Sequence, residues 1–209
     1  MKRIFSIISL ILLICVAMTA CGGDGTDKPS EPVDNTVYGK LTSAMSSRDF
    51  DTLTVTVATT KDELTLTSTY VYKTVDGNLA IDYSIEILGQ FDKNGENYTA
   101  PDSMIKTVSG SVVVSGGKII STSGDPAPLD LSGAKYPEFK FKEGYFSSVE
   151  TADGEFSASV LSPMAFMGMS DSCSNMTVRV YYNVFRVSTL HLEYKATDGS
   201  QVKTTYIYR

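Results

Sequence analysis

The chain has 209 residues, with 18 Lys and Arg against 24 Asp and Glu, a net charge of −6, one His, three Cys and no Trp. That length suits one domain with a substantial core. The acidic balance and the lack of a basic stripe exclude nucleic acid as a partner, and electrostatic adsorption to anionic lipid as well.

Lys2 and Arg3 precede an apolar run from Ile4 to Val16, interrupted only by Ser6 and Ser9, and Met18-Thr19-Ala20-Cys21 follows. A basic start, an apolar stretch of about 7–15 residues and small residues before a cut make a secretory signal. The run is short of the about 20 residues of a comfortable membrane span. Small residues before Cys21, with Gly22-Gly23 after it, resemble the lipobox of bacterial lipoproteins, Met18 standing for the more usual Leu. That resemblance implies cleavage before Cys21, acylation of its thiol, and a lipid anchor on the extracytoplasmic side of a bacterial membrane, in the cell envelope. The plainer alternative is ordinary signal cleavage near Ala20. The organisation expected is a signal peptide over 1–20, a disordered tether over 21–34, rich in Gly, Asp, Ser and Pro, and a single β-rich domain over 35–209.

Cys15 leaves with the signal and Cys21 would be acylated, so Cys173 stays alone and no disulfide forms in the mature chain. A lone Cys of this kind reads first as a small buried apolar residue.

Val37, Leu41, Ala44 and Met45 share a helical face, and Asn35 or Thr36 suits the cap, which predicts an amphipathic helix over 36–48. The period then changes to two. Leu53, Val55 and Val57 alternate with threonines; Leu64, Leu66, Tyr70 and Tyr72 do the same; Leu79, Ile81, Tyr83, Ile85 and Ile87 alternate with polar residues. These are half-buried strands. Further strands are expected at 105–115, 118–123, 139–142, 145–151, 155–161, 176–183, 186–196 and 201–208. Asp76-Gly77, Gly116-Gly117, Asp153-Gly154 and Asp198-Gly199 supply hairpin turns, so the sheet is an antiparallel meander. Prolines between 126 and 137 break regular structure, apart from a helical turn near 130–135. Ser162-Pro163 reads as a capped start of a short helix through Met164, Phe166 and Met167.

The fold class expected is mainly β (α+β): one strongly curved antiparallel meander sheet or incomplete barrel, with an N-terminal helix and one or two short helices. So few helices do not cover that much apolar sheet. Either side chains fill the sheet, or it keeps an apolar cavity.

The helix after the tether, the long meander, the Ser-Pro helix and the closing hairpins from Arg186 to Tyr208 resemble the LolA/LolB/LppX-like group of bacterial envelope proteins. That resemblance implies an incomplete barrel with helices in its mouth and binding of a lipid or other hydrophobic or amphipathic ligand. The charged and apolar loop residues on which the lipoprotein-sorting members depend have no match here, so sorting is not implied. Leu53, Val55, Tyr70, Ile81, Tyr83, Ile85, Leu192 and Tyr194, with Met164, Phe166 and Met167, are then the expected ligand-binding residues. Met164 and Met167 would share a face pointing into the sheet.

Other constellations are weaker. Met164, Met167, Met169, Cys173 and Met176 offer soft ligands for Cu(I), but packing is the simpler reading and no metal motif fits. His191 alternates outward from Leu190 and Leu192, and no Gly-x-Ser-x-Gly elbow accompanies it. Glu143, Glu150, Asp153 and Glu155 read as solvated hairpin charges rather than a glycosidase pair. Neither a cofactor nor a metal site is expected, and no catalytic residue is assigned. The rival to a ligand-binding lipoprotein is a protein-interaction or scaffold lipoprotein with a solid core, presenting its outer face or edge strands to an envelope partner.

Overall fold

The structure, a computed structural model, describes residues 36–46, 50–88, 105–169, 173–183 and 186–209, together with the backbone of 90–93 and 96–99. The signal, Cys21 and the tether lie outside the described residues, as do the last residues of the expected first helix.

One helix, α1 (Val37–Ser46), leads into the strands β1 (Thr52–Lys61), β2 (Leu64–Val75), β3 (Asn78–Leu88), β4 (Gln90–Lys93), β5 (Glu96–Thr99), β6 (Ile105–Ser115) and β7 (Lys118–Gly124). The chain continues through β8 (Phe146–Ala152), β9 (Glu155–Val160), a short helix α2 (Pro163–Met167), β10 (Cys173–Tyr182), β11 (Val187–Ala196) and β12 (Gln201–Tyr208). Ten of the strands form one antiparallel sheet in the order β7-β6-β3-β2-β1-β12-β11-β10-β9-β8, and β4 and β5 pair separately. The sheet is not closed. Its two five-stranded halves meet where the first strand pairs with the last, Leu53 opposite Tyr208 and Thr60 opposite Gln201.

The turns follow from the residues that accept positive φ. Asp76 and Gly77 (φ 50° and 75°) join β2 to β3, and Gly116 and Gly117 (φ 55° and 75°) join β6 to β7. These are hairpin turns whose twist matches the strands. Strict alternation then sends one set of side chains inward, and β1 shows it plainly: Leu53, Val55, Val57 and Thr59 are buried while their neighbours are half-buried. On the outer face, pairing aligns Ser84, Thr69, Thr56 and Thr205 across four adjacent strands. Short hydroxyl side chains suit a wet strand face.

Segment 125–145, which links edge strand β7 to the opposite edge β8, decides how the inner face is covered. A connection this long without regular structure is uncommon in a compact domain. Here it crosses the inner face as a strap: Leu129, Leu131, Ala134, Phe139 and Phe141 are all buried in the same core as both halves of the sheet. Phe139 meets Phe166 and Tyr206 with ring centroids 5.4 and 5.0 Å apart, and Phe141 packs on Phe146, Phe156 and Phe166. The expected strand over 139–142 is absent. Phe139 and Phe141 do point in while Lys140 and Lys142 point out, but among the described residues no strand pairs with them to complete a ladder. The alternation came from an extended chain lying on a core. In place of a helical turn near 130–135 there is a turn at 132–133, closed by the Ala134 N–H donating to the Leu131 carbonyl at 3.1 Å.

The helices complete the cover. In α1, Leu41 and Ala44 are buried, and Tyr38 stacks on Phe146 at 6.0 Å. The Thr42 hydroxyl donates to the Phe141 carbonyl at 3.2 Å and ties α1 to the strap. Ser162 caps α2 by accepting from the Ala165 N–H, Pro163 follows it, and Gly168 ends the helix at φ 73°. The cap and the proline start of that short helix follow the sequence signals.

Candidate functional site

The inner face of the sheet is covered by protein. Leu53, Val55, Tyr70, Ile81, Tyr83, Ile85, Leu192 and Tyr194 are buried in one continuous core, together with Phe166 and Met167. Met164 is placed differently from the expectation: it is 51% exposed and does not share an inward face with Met167. Pro163, Phe166 and Met167 are the buried side of α2, and a five-residue helix has no second turn to bring position 164 round to that side. Of the expected ligand-binding residues, Tyr83 lines a surface cleft of about 520 Å³ beside Pro126 and Leu129. Its hydroxyl donates to the Asp125 carbonyl. Burial and the neighbouring Asp125 push the Tyr83 pKa up.

A recess of mixed aromatic and polar lining does survive on the inner face. A cleft of about 420 Å³ opens between the last turn of α1, Phe50 and the strap, with Tyr208 forming part of its wall. It is within the about 300–1,000 Å³ range of small-molecule sites. Phe50 meets Tyr136 and Tyr208 edge to face, with centroids 5.6 and 5.2 Å apart, and Tyr72 lies 6.0 Å from Tyr136. Met45 adds an adaptable thioether, and the charged ends of Glu138 and Lys140 are supplied by the strap.

The Tyr208 hydroxyl, closed to solvent behind the ring that lines this cleft, is the unusual atom here. The residue is only 7% exposed, and its oxygen is buried with no hydrogen-bond partner among the described residues. Burial raises its pKa well above the ordinary value, so it stays a neutral donor and acceptor. Leaving such a group unpaired costs roughly 1–3 kcal/mol. Tyr136, by contrast, shares a hydrogen bond with the Thr74 hydroxyl at 3.2 Å. The Tyr194 hydroxyl is likewise buried with no partner among the described residues, but it sits in the packed core, where burial again raises its pKa, followed by the influence of Cys173.

Sequence reasoning did not pick out Phe50, Tyr136 or Tyr208 as a group. Tyr136-Pro137 inside a proline-rich break was the available signal, because an aromatic in an irregular segment has to pack on something.

The remaining candidates resolve simply. His191 sits on the outer face, its Nδ1 3.0 Å from the Thr205 hydroxyl and its ring edge to face with Tyr181. It lines a polar groove of about 540 Å³ with Glu150, Arg179 and Glu193. Glu155 pairs with Arg179 at 3.4 Å. Met167, Met169 and Met176 are buried and Cys173 is half-buried. Among the described residues no group of His, Cys, Asp and Glu could hold a metal, and no helix is long and apolar enough to cross a membrane.

No protein-family model matches the chain, and no curated protein matches it. Among solved structures it is similar to a DUF1329 family protein from Desulfovibrio piger, at 10% identity and a TM-score of 0.24, over 81% of this chain and 89% of that one. It is also similar to an N-terminal dehydratase from the difficidin assembly line, at 9% identity and a TM-score of 0.15, over 77% of this chain and 78% of that one. At those scores neither neighbour decides anything about this chain's fold or activity.

Proposed function

We propose that the chain is a lipid-anchored, non-catalytic lipoprotein of the bacterial cell envelope, and that its aromatic cleft binds a small hydrophobic or amphipathic ligand. The observation that carries the reading is the buried, unpartnered Tyr208 hydroxyl in the wall of a cleft bounded by Phe50, Tyr136 and Met45. A ligand with an apolar body and one polar group would cover the rings, and a small shift of the Tyr208 ring, whose oxygen is closed to solvent, would let that polar group bond it. The volume of about 420 Å³ fits a single acyl chain or a small ring system. A lumen-filling lipid would have to displace the strap and its phenylalanines. The ligand expectation therefore narrows from the whole sheet interior to its mouth. The signal and Cys21 motif supply the anchor and the location. The outward placement of His191, bonded to a threonine rather than a carboxylate, accords with binding instead of catalysis.

The test is native mass spectrometry of the full chain, followed by organic extraction, and then calorimetric titration with palmitate. A bound apolar molecule, or saturable palmitate binding weakened about fivefold to tenfold by Tyr208→Phe, is expected, the loss of one neutral hydrogen bond. A clean mass with no palmitate binding would overturn the reading.

The second reading is a scaffold that docks a protein partner, and a specific observation favours it. Edge strand β7 is exposed along its whole length, with Ile119 and Ile120 among its residues. Edge strand β8 is interrupted by a bulge between Ser147 and Glu150, with Ser148 at φ 51°. Bulges and positive φ blunt an edge, and an exposed apolar edge invites an added strand.

A further inference from the structure

We infer that edge strand β7 is the docking surface for a second copy of this chain, the two β7 strands pairing antiparallel across a two-fold axis at Thr122. The inference rests on the edge-docking reading above and names its occupant.

β7 ends the ten-stranded sheet, and no described strand pairs with its far side. The main-chain N–H and C=O groups on that side are open to a further strand. All seven residues of β7 are exposed, Ile119 by 39% and Ile120 by 58%. The strand carries one extra residue against β6, Ile120, between the pairs Val114–Ile119 and Val113–Ser121. That bulge differs from the one in β8, because no residue from 118 to 123 has positive φ. Directly opposed residues share a face of the sheet. Ile119 and Thr122, paired with the buried Val114 and Val112, therefore point to the inner side. There they and Gly124 line the cleft of about 520 Å³ beside Pro126 and Leu129. A strand added here gains main-chain bonds along the edge and a recess for one inward apolar side chain, the combination that gives β-augmentation its affinity and its specificity.

Charge selects a second copy as the occupant. Lys118 stands at one end of β7 and Asp125 just past the other. Both are exposed, and neither is in an ion pair among the described residues. The Asp125 carboxylate accepts from the Ser109 N–H at 3.5 Å, which leaves it room for a cation. In a symmetric antiparallel pair the two-fold axis passes between a residue and its own copy. With the axis at Thr122 and Ile120 set aside as the extra residue, Ser121 meets Ser123, Ile119 meets Gly124 and Lys118 meets Asp125 of the second copy. Opposite charges then meet at both ends, and each Ile119 faces a residue without a side chain at the mouth of the cleft. Parallel pairing in register would set like charges together at each end. Pairing with β8 of another copy would bring no cation to Asp125, since β8 and the turn after it hold Glu150 and Asp153 and no Lys or Arg. Both β8 edges stay outside the two-fold pair, so the assembly closes at two copies.

The test is disulfide cross-linking of the full chain under mild oxidation, in a Cys173→Ser background, with Thr122→Cys or, as the control edge, Thr151→Cys on β8. The result expected is a linked dimer of Thr122→Cys at a yield at least about threefold that at 151, because residues opposed at a two-fold axis lie within disulfide reach. Adding Asp125→Lys should lower that yield about fivefold, since like charges then meet at both ends, and adding Lys118→Asp as well should restore it. Equal yields at 122 and 151, or a loss that the charge swap does not restore, would overturn the second copy as the occupant. Hydrogen exchange at residues 118–123 keeps the two readings apart. Protection of these amides by a detergent extract of the bacterial envelope, without a Thr122→Cys cross-link, would overturn self-pairing and leave edge docking standing. Neither cross-link nor protection would remove both.

Discussion

The two ends of the inner face are built from similar residues and come out differently. At the end where α1 begins, Phe141, Phe146, Phe156 and Phe166 meet one another at 5.3–5.9 Å, with Tyr38 against Phe146 and Phe156. The strap, α1 and α2 all bear on that group, and the Lys140 N–H donates to the Phe166 carbonyl at 2.7 Å. Phe50, Tyr136 and Tyr208 also touch edge to face, but there, among the described residues, only α1 from Thr42 to Ser46 and the strap residues 136–141 border the space beside them. The rings there bound a cleft, and the Tyr208 hydroxyl behind them has no partner among the described residues. Aromatic residues make a core or a site according to whether a further element covers them, because the space an aromatic pair leaves on its open side is filled only by a neighbour or a ligand.

The largest expected effect breaks the packed end. Phe156→Ala removes a fully buried ring and should cost about 3–5 kcal/mol in urea unfolding, and a loss below about 1 kcal/mol would mean that the packed end is not the core. Tyr208→Phe at the cleft end should go the other way, raising stability by roughly 1 kcal/mol because an unsatisfied buried oxygen is removed, while weakening ligand. If it destabilises, the hydroxyl has a partner and the site loses its basis.

A smaller effect separates the ends by pH. Asp198 and Ser200 close the β11–β12 hairpin. Burial works to raise the Asp198 pKa, but hydrogen bonds from the Ser200 hydroxyl and amide and from Lys61, 3.1 Å away, hold it below the ordinary carboxylate value. Its folded pKa is depressed, so its contribution is present above the unfolded value of about 4 and fades as pH falls through the folded one. Asp198→Asn should cost about 1 kcal/mol at neutral pH, with the partly exposed Lys61 discounting the ion pair, and should flatten the acid limb of the stability profile. Tyr208 behaves oppositely, since its folded pKa is raised. Its neutral form is stable up to the unfolded value of about 10, and the contribution is lost as pH rises further. Tyr208→Phe should therefore reduce the alkaline fall, which circular dichroism against pH would detect. The smallest effect is Met164→Ser, expected within about 0.5 kcal/mol of the parent because the side chain is exposed.

Much of the sheet was legible from the sequence. Period-two runs such as Leu53-Thr54-Val55-Thr56-Val57 have one arrangement that hides the apolar set, and Asp76-Gly77 or Gly116-Gly117 leave the chain little choice but to turn. Ser162-Pro163 announced α2 for the same local reason. Phe139 and Phe141 show where this reasoning stops. Their alternation records burial on one side and is silent about whether a strand or a core lies there.

The sequence by itself determined most of the elements, though not β4 and β5 and not the extended strap at 139–142, and the antiparallel class of the sheet, because these depend on neighbours one to four positions apart. It also carries the signal and Cys21 pattern. Tertiary structure alone decided that β1 pairs with β12, that segment 125–145 crosses the inner face and fills it, and that the space left over lies beside Tyr208. Each of these is a contact between residues tens to more than a hundred positions apart, and it depends on how volumes fit once the sheet has formed.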